Sequence, residues 1–334
     1  MDLSATKTHN APWRHKWTIS WAILVMSEIF IYQILPHYAK SEDLDPGFLV
    51  LDNSSNERLD WYEYWPIRKF LLGEPLDEEA FYGFLSPRFN QKTNLSAAAV
   101  RNIVSRESNT ADVVLFSHSL EKTAYHWNVF EYGEFCHPGL LDVAARFFTR
   151  IGQPTDLKEL VTHSRNEVYS NYMIAKPRFW KAWLGITEQL IAIAESPTDP
   201  LGAELRQPTT YRGHHDVQMK IFIMERIATW ILARDPEFVA RVRDPFVSHS
   251  RIYKLPGAIV CDALKIAYVA DNRQEKYKVI FNLFSRLGKL FSLQIRIGNI
   301  LGFKNVRSSL ETLSSPRTKS GGHDGSVESA TDRH

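Results

Sequence analysis

Two stretches crowd ionic groups among aromatic rings. WYEYWPIRKF (61–70) and FYGFLSPRF (81–89) set Glu63, Arg68, Ser86 and Arg88 beside Trp61, Tyr62, Tyr64, Trp65, Phe81, Tyr82 and Phe84. Aromatic faces stack on sugar rings and nucleobases while polar neighbours fix their orientation. The same composition also suits a satellite aromatic core with surface arginines. Gly83, inside an apolar run, suggests close backbone approach by a ligand, or a bulge. SNYMIAKPRFW (170–180) reads as a strand that ends at Lys176, where a helix begins. Free N–H groups, the helix dipole, Lys176 and Arg178 would then converge on one point, which suits a diphosphate or simply a helix start with solvated cations. Glu225 and Arg226 adjoin in the apolar run VQMKIFIMERIATWILA (217–233) and point to different sides of a helix. Charges there need partners or line a cleft, as structural ion pairs or with Glu225 as a base.

Other chemistries lack their residues. DVVLFSHS (112–119) ends in Ser117, His118 and Ser119, where a metal-dependent nucleotide-sugar transferase usually carries Asp-x-Asp. His118, His126, His137, His214 and His215 show no metal-ligand spacing and read as structural, and GxSxG, P-loop and GxGxxG patterns are absent. Cys136 and Cys261 form no CxxC pair, which argues against a disulfide scaffold or a structural zinc site and fits a reducing cytoplasm. The 334 residues are 44% hydrophobic and 23% charged, enough for one large domain or two small ones. A net charge of +2 gives no basis for nucleic-acid binding.

Strands must position these groups. A β-branched and aromatic run, Ile29 to Leu35, ends at Pro36 and suits a strand buried on both faces of a parallel sheet. GFLVLDNSS (47–55) and DVVLFSHS repeat the pattern, with a helix capped by Ser96 between them. This alternation predicts an α/β fold with a mostly parallel sheet flanked by helices. Asp52, Asn53, Ser117 and His118 would sit on its carboxyl rim, where such sheets bind ligands. Pro138 and Pro177 read as first helical positions, the former of a helix running to about Gly152, and 217–233 reads as a helix buried almost all round.

The two ends read differently. Trp17 to Leu35 is a poor membrane span, because apolar gains of roughly −4 kcal/mol meet a cost of roughly +2.5 to +3.5 kcal/mol for Glu28. A strand starting after Met26 is the preferred reading over a single N-terminal anchor, leaving 1–25 as a leader or upstream extension. Between 271 and 307, basic residues outnumber acids, and Ile280, Leu283, Leu287, Leu290 and Phe291 recur at helical spacing. This basic amphipathic helix reads first as packed on the core with a solvated basic face; the same pattern suits an anionic membrane surface through 273–307. Residues 308–334 have a disordered composition.

FYGFLSPRF with KTNLS (92–96), SNYMIAKPRFW and KIFIMERI (220–227) resembles a family of glycosyltransferases found in bacterial capsule and lipopolysaccharide gene clusters. Asn94 stands where the resemblance leads one to expect Gly, and Asn tolerates the same left-handed backbone. The resemblance implies a GT-A-like domain over 26–270 with a helical C-terminal part. It implies transfer from a nucleotide sugar to a cell-surface polysaccharide or lipid-linked glycan, at the inner face of the cytoplasmic membrane. Under it, Glu63 or Glu225 serves as base, Tyr32 and Asp52 lie near the nucleotide, and Lys176 and Arg88 lie near the phosphates, with Arg68, Gly83, Ser86 and Asn171 also binding substrate. No metal ligand is assigned, although Mg²⁺ or Mn²⁺ with the nucleotide sugar stays open. The alternative is a non-catalytic glycan-assembly or membrane-peripheral protein that keeps the fold.

Overall fold

The computed structural model describes residues 27–300 apart from 118–119, 121–122, 169, 212–213 and 244–254. The leader at 1–25, most of the possible anchor, His118, Ser119 and the tail at 308–334 therefore lie outside the described residues. The described residues divide into two compact units. One comprises 27–117, 168–208 and 217–243; the other is built from 120–167, 209–216 and 255–300. The stretch 26–270, expected as one α/β domain, runs through both.

The first unit is an α/β layer structure. Its strands are β1 (Ile29–Pro36), β2 (Leu49–Asn53), β3 (Phe81–Leu85), β4 (Val113–Leu115), β5 (Met173–Ala175) and β8 (Ala240–Val242); β6 (Pro208–Tyr211) and β7 (His214–Gln218) pair as a separate two-stranded sheet, most of it in the second unit. Six form one mixed sheet in the order β2-β1-β3-β5-β4-β8. β1 runs parallel to β2 and β3, and β4 parallel to β8, whereas β5 is antiparallel to both its neighbours. β3 and β4 are buried along their whole length, as central strands with both faces covered should be. β2 is an edge strand and correspondingly more open.

Helices α1 (Tyr64–Gly73), α2 (Phe89–Thr93) and α3 (Ala97–Glu107) follow strands in this unit. Ser96 caps α3 by accepting from the Ala99 N–H, as its position before an apolar run predicted. Phe48, Phe81, Phe89, Val100, Val114 and Ile174 belong to the core between sheet and α3. In the second unit, α4 (Val129–Cys136) and α5 (Leu140–Arg150) are separate helices. The predicted start at Pro138 is thus too early: His137 ends α4, and Gly139, at φ 91°, precedes α5. Back in the first unit, α6 (Pro177–Glu195), α7 (Pro200–Leu205) and α8 (Met219–Arg234) follow, with Pro177 at the start of α6 and α8 buried on nearly every side.

Helices α9 (Leu255–Ala270) and α10 (Glu275–Ile300) complete the second unit. α10 confirms a C-terminal helix, but its apolar stripe is not packed inward. Leu283, Leu287 and Leu290 are exposed, while Phe281 and Ser285 face the interior. No helix among the described residues is long and apolar enough to cross a membrane.

Candidate active site

The polarity of β5 decides which groups can meet. Parallel strands β1, β2, β3, β4 and β8 end at one rim, and antiparallel β5 begins there, with Leu115 in register with Met173. The rim is therefore built from the residues just after β3 and those just before β5. Ser86 and Tyr172 meet across it, their hydroxyls 2.5 Å apart and both buried.

A turn locked from below carries the next residues. Gln33, buried in β1, donates through Nε2 to the Ser86 and Pro87 carbonyls at 3.2 and 3.3 Å and to Asn90 Oδ1 at 3.1 Å. Its Oε1 accepts from the Asp45 N–H at 2.9 Å, and Asn90 in turn donates to Asp45 Oδ2 at 2.8 Å. The amide is spent on holding the turn, so it fixes Arg88 and α2 rather than reaching a ligand. α2 brings Lys92 within 5.4 Å of the Tyr172 ring centre. It closes at Asn94 with φ 55°, the left-handed conformation allowed for at this position, and Arg243 beyond β8 donates to the Thr93 carbonyl at 3.0 Å.

Two carboxylates face this turn. Glu63 precedes α1 directly after Tyr62, whose φ of 47° and ψ of −132° are an uncommon backbone state for a large side chain. Glu225 lies on α8. Burial raises the Glu63 carboxyl to about 7, with Lys92 acting against the shift and the negative charge of Glu225 adding to it. Burial also raises Glu225, against the cations Arg226 and Lys92. Both keep part of their surface open although protein surrounds them closely. Tyr172 is raised by burial; its bond to Ser86 and the cation of Arg88 oppose the shift, and Glu63 reinforces it. Glu63, Glu225, Lys92, Arg88, Ser86 and Tyr172 thus form one electrostatic cluster, entirely within the first unit.

Backbone strain gathers beside it. Ser170 and Asn171, at φ 54° and 55°, lead into Tyr172, and Asn171 is buried with its Oδ1 unbonded. Strained residues of this kind persist where surrounding structure fixes them, commonly at binding sites. A buried acceptor without a partner is uncommon and fits a group awaiting a donor.

Other expected residues lie elsewhere. Lys176 and Arg178 follow the carboxyl end of β5, which is the amino rim of the parallel strands, so Lys176 and Arg88 stand at opposite ends of the sheet. Lys176 lies 3.8 Å from Glu79, and Arg178 lies 3.1 Å from Asp112 and donates to the Glu237 carbonyl. Tyr32 sits in mid-strand against Phe70 and Phe84, and Glu74, beyond the far end of α1, is among the charges raising its hydroxyl after burial and Tyr82. It is therefore part of an aromatic layer, away from the rim.

Gly83 faces Ile174 across the strands, where an added Cβ would stand 2.6 Å from Cγ1, so side-chain packing explains the glycine. Arg68 makes a bidentate bond to Glu188 of α6 at 2.6 and 2.7 Å, clasping α1 to α6. Asp52 is on the carboxyl rim at the edge strand, two strands or about 10 Å from β3. It is exposed, and the Ser54 N–H holds its carboxyl below the usual range.

The aromatic stretches divide between their two readings. Trp61, Tyr64, Phe81, Tyr82 and Phe84 are core, whereas Tyr62 is 42% exposed next to Glu63. Lys92 and Tyr172 are site residues that residue-type reasoning passed over. Their signal was position: a cation one helical turn beyond the strand end, and a tyrosine just before a strand of opposite direction.

Among the described residues no group of three or more His, Cys, Asp or Glu side chains is placed to hold a metal ion. The two rim carboxylates have Lys92 as a close neighbour, a poor donor set for a resident divalent cation. Compared with family models, with curated proteins and with solved structures, the chain finds no significant match.

Proposed function

We propose that the rim cluster is a glycosyl-transfer site of GT-A-like type. The observation that carries this reading is the meeting of Glu63, Glu225 and Lys92 at the carboxyl rim of the sheet, beside the locked Ser86–Arg88 turn. Attack of an acceptor hydroxyl on the anomeric carbon of a nucleotide sugar requires removal of a proton. Glu63, poised near 7, can take it at neutral pH, because general bases work best when their pKa lies near the operating pH. The sugar–phosphate bond breaks with its electron pair passing to the departing diphosphate. Lys92 and Arg88 supply positive charge on that side, the role that Lys176 cannot fill from the opposite rim.

Tyr62, 42% exposed beside Glu63, places an aromatic side chain where a sugar or base would lie. Asn171 Oδ1, buried without a partner, can accept from a sugar hydroxyl once the rim opens to admit it. The Glu225 carboxylate, when ionised, adds to the upward shift that burial gives Glu63. The acceptor is a cell-surface polysaccharide or a lipid-linked glycan under the family resemblance of FYGFLSPRF and KIFIMERI.

Thermal-shift screening with a panel of nucleotide sugars, with and without Mn²⁺, tests this directly. One donor is expected to raise Tm, and the Glu63→Gln protein should keep that shift while losing turnover. No stabilisation by any nucleotide sugar would sink the transferase reading. Stabilisation without turnover in the wild type would favour the alternative, a glycan-assembly protein that binds but does not transfer.

A further inference from the structure

Helix α9 is amphipathic in the reverse of the usual sense, and α10 leaves an apolar row exposed. In a helix lying on a water-soluble body, apolar residues face in and charges face out. The charges of α9 face in: Asp262 accepts from Ser164 at 2.8 and 2.6 Å, and Lys265 reaches Glu167 at 3.4 Å and the His126 carbonyl at 3.1 Å. Both are buried, whereas Ile259, Val260 and Val269 on the outer side are open. α10 continues the surface. Val279 is 66% exposed, Leu283 60%, Leu287 57% and Leu290 59%, and these positions recur along one face. The inner side of α10 is taken by Phe281, packed on Trp127 and Cys261, and by Ser285, which donates to the Tyr125 carbonyl.

We infer that this α9–α10 face is a membrane-docking surface that lies in the interface of an anionic bilayer. Large apolar faces on soluble proteins mark contact sites, and three observations select lipid as the occupant. The open face of α9 carries no charged side chain, so nothing on it resists entry among acyl chains. α10 adds Lys276, Lys278, Arg286 and Lys289; Asp271, Glu275 and Glu131 answer Lys276, Lys278 and Lys289 at 3.2, 3.7 and 2.8 Å, which leaves Arg286 in excess beside the apolar row, in a chain whose overall charge is only +2. This local positive excess complements anionic headgroups. A second copy would bring these same cations against themselves, because a two-fold contact pairs a patch with its own image. Neither helix is apolar and long enough to span a bilayer, which leaves the in-plane arrangement.

The inference stands apart from the transferase reading, and its test needs no enzymatic activity. The full chain is floated with phosphatidylcholine vesicles and with vesicles containing about a third phosphatidylglycerol. Binding to the anionic vesicles, and a large loss of it in 0.5 M salt, is expected. Leu283→Asp with Leu287→Asp should reduce partitioning at least tenfold without lowering Tm, since both side chains project outward. Arg286→Glu should weaken it more than about fivefold, because one cation near an anionic surface contributes about 1 kcal/mol. If the first variant misfolds, Ile259→Asp with Val260→Asp reports on the same face from α9. Absence of vesicle binding overturns the inference. So does binding that survives the α9 and α10 variants, or a dimer in solution that those variants dissociate.

Discussion

Helix α8 carries two charged residues with opposite fates, Lys220 and Glu225. Lys220 is almost wholly buried, yet it is fully answered. Its Nζ lies 2.5 Å from Asp60 and 3.5 Å from Glu195 and stands 4.1 Å from the centre of the Trp61 ring. Arg58 completes the set by binding both acids. There the charges balance, and the Asp60 carboxyl is held down to about 2, burial being outweighed by Arg58 and Lys220. Glu225, further along the helix, lies near a second carboxylate, Glu63, and burial pushes both up. Charges of balanced sign fasten α8 to its neighbours; carboxyls that burial raises beside Lys92 are poised to exchange a proton.

The sharpest way to break this contrast is Glu63→Gln. If the rim pair is chemical, kcat should fall by about 10²–10⁴, the range that a general base contributes, while Tm is held or raised because a buried charge is removed. A fall in Tm with unchanged turnover would place Glu63 with the fasteners instead. Lys220→Met probes the other cluster. Breaking a buried pair costs about 3–5 kcal/mol, and about 2–4 kcal/mol is expected here because Asp60 and Glu195 keep Arg58 and partial exposure. Donor affinity, read by nucleotide-sugar titration of the folded fraction, should not change.

The clusters also titrate in opposite senses. The folded-state value of Glu63 lies above the ordinary 4.5. Its contribution to stability is therefore complete below about 4.5 and lost as pH rises through about 7. Asp60 is depressed from 3.8, so its contribution is present above that value and lost as pH falls through about 2. Thermal melts from about pH 1.5 to 9 should show both limbs. Glu63→Gln should flatten only the upper one, by about 1–3 kcal/mol for a shift of this size in a partly open group, and Asp60→Asn only the lower. Transfer activity should rise with pH through about 7, as the base form of Glu63 appears.

Most of what depends on a segment's own residues was legible in the sequence, the helix start read at Pro138 excepted. The β-branched run of β1, the Ser96 cap, Pro177 at the head of α6 and the apolar girth of α8 each carry a local cause. What depends on a partner was not. A strand's residues do not encode its direction relative to neighbours, so MIA in β5 gave no warning that Lys176 would stand at the opposite rim from Arg88. Periodicity in α10 located an apolar stripe without saying what covers it. Glu63 and Glu225 were each identifiable as charges needing an explanation. Their meeting, across 162 positions of chain (225 minus 63), comes from the sheet order and the packing of α8.

The finest division runs within the rim itself, between groups that wait for substrate and groups that hold the floor. Tyr172 is the informative residue, because it touches both: its ring lies beside Lys92 while its hydroxyl is bound to Ser86. That hydroxyl, committed to a buried partner 2.5 Å away, is not open to a ligand. Tyr172→Phe should therefore lower stability by about 1 kcal/mol, the net worth of one hydrogen bond, and leave kcat within about threefold. A much larger fall in kcat at unchanged Tm would mean that the hydroxyl leaves Ser86 when substrate binds. The boundary between scaffold and reaction site would then run through Ser86 rather than beyond it.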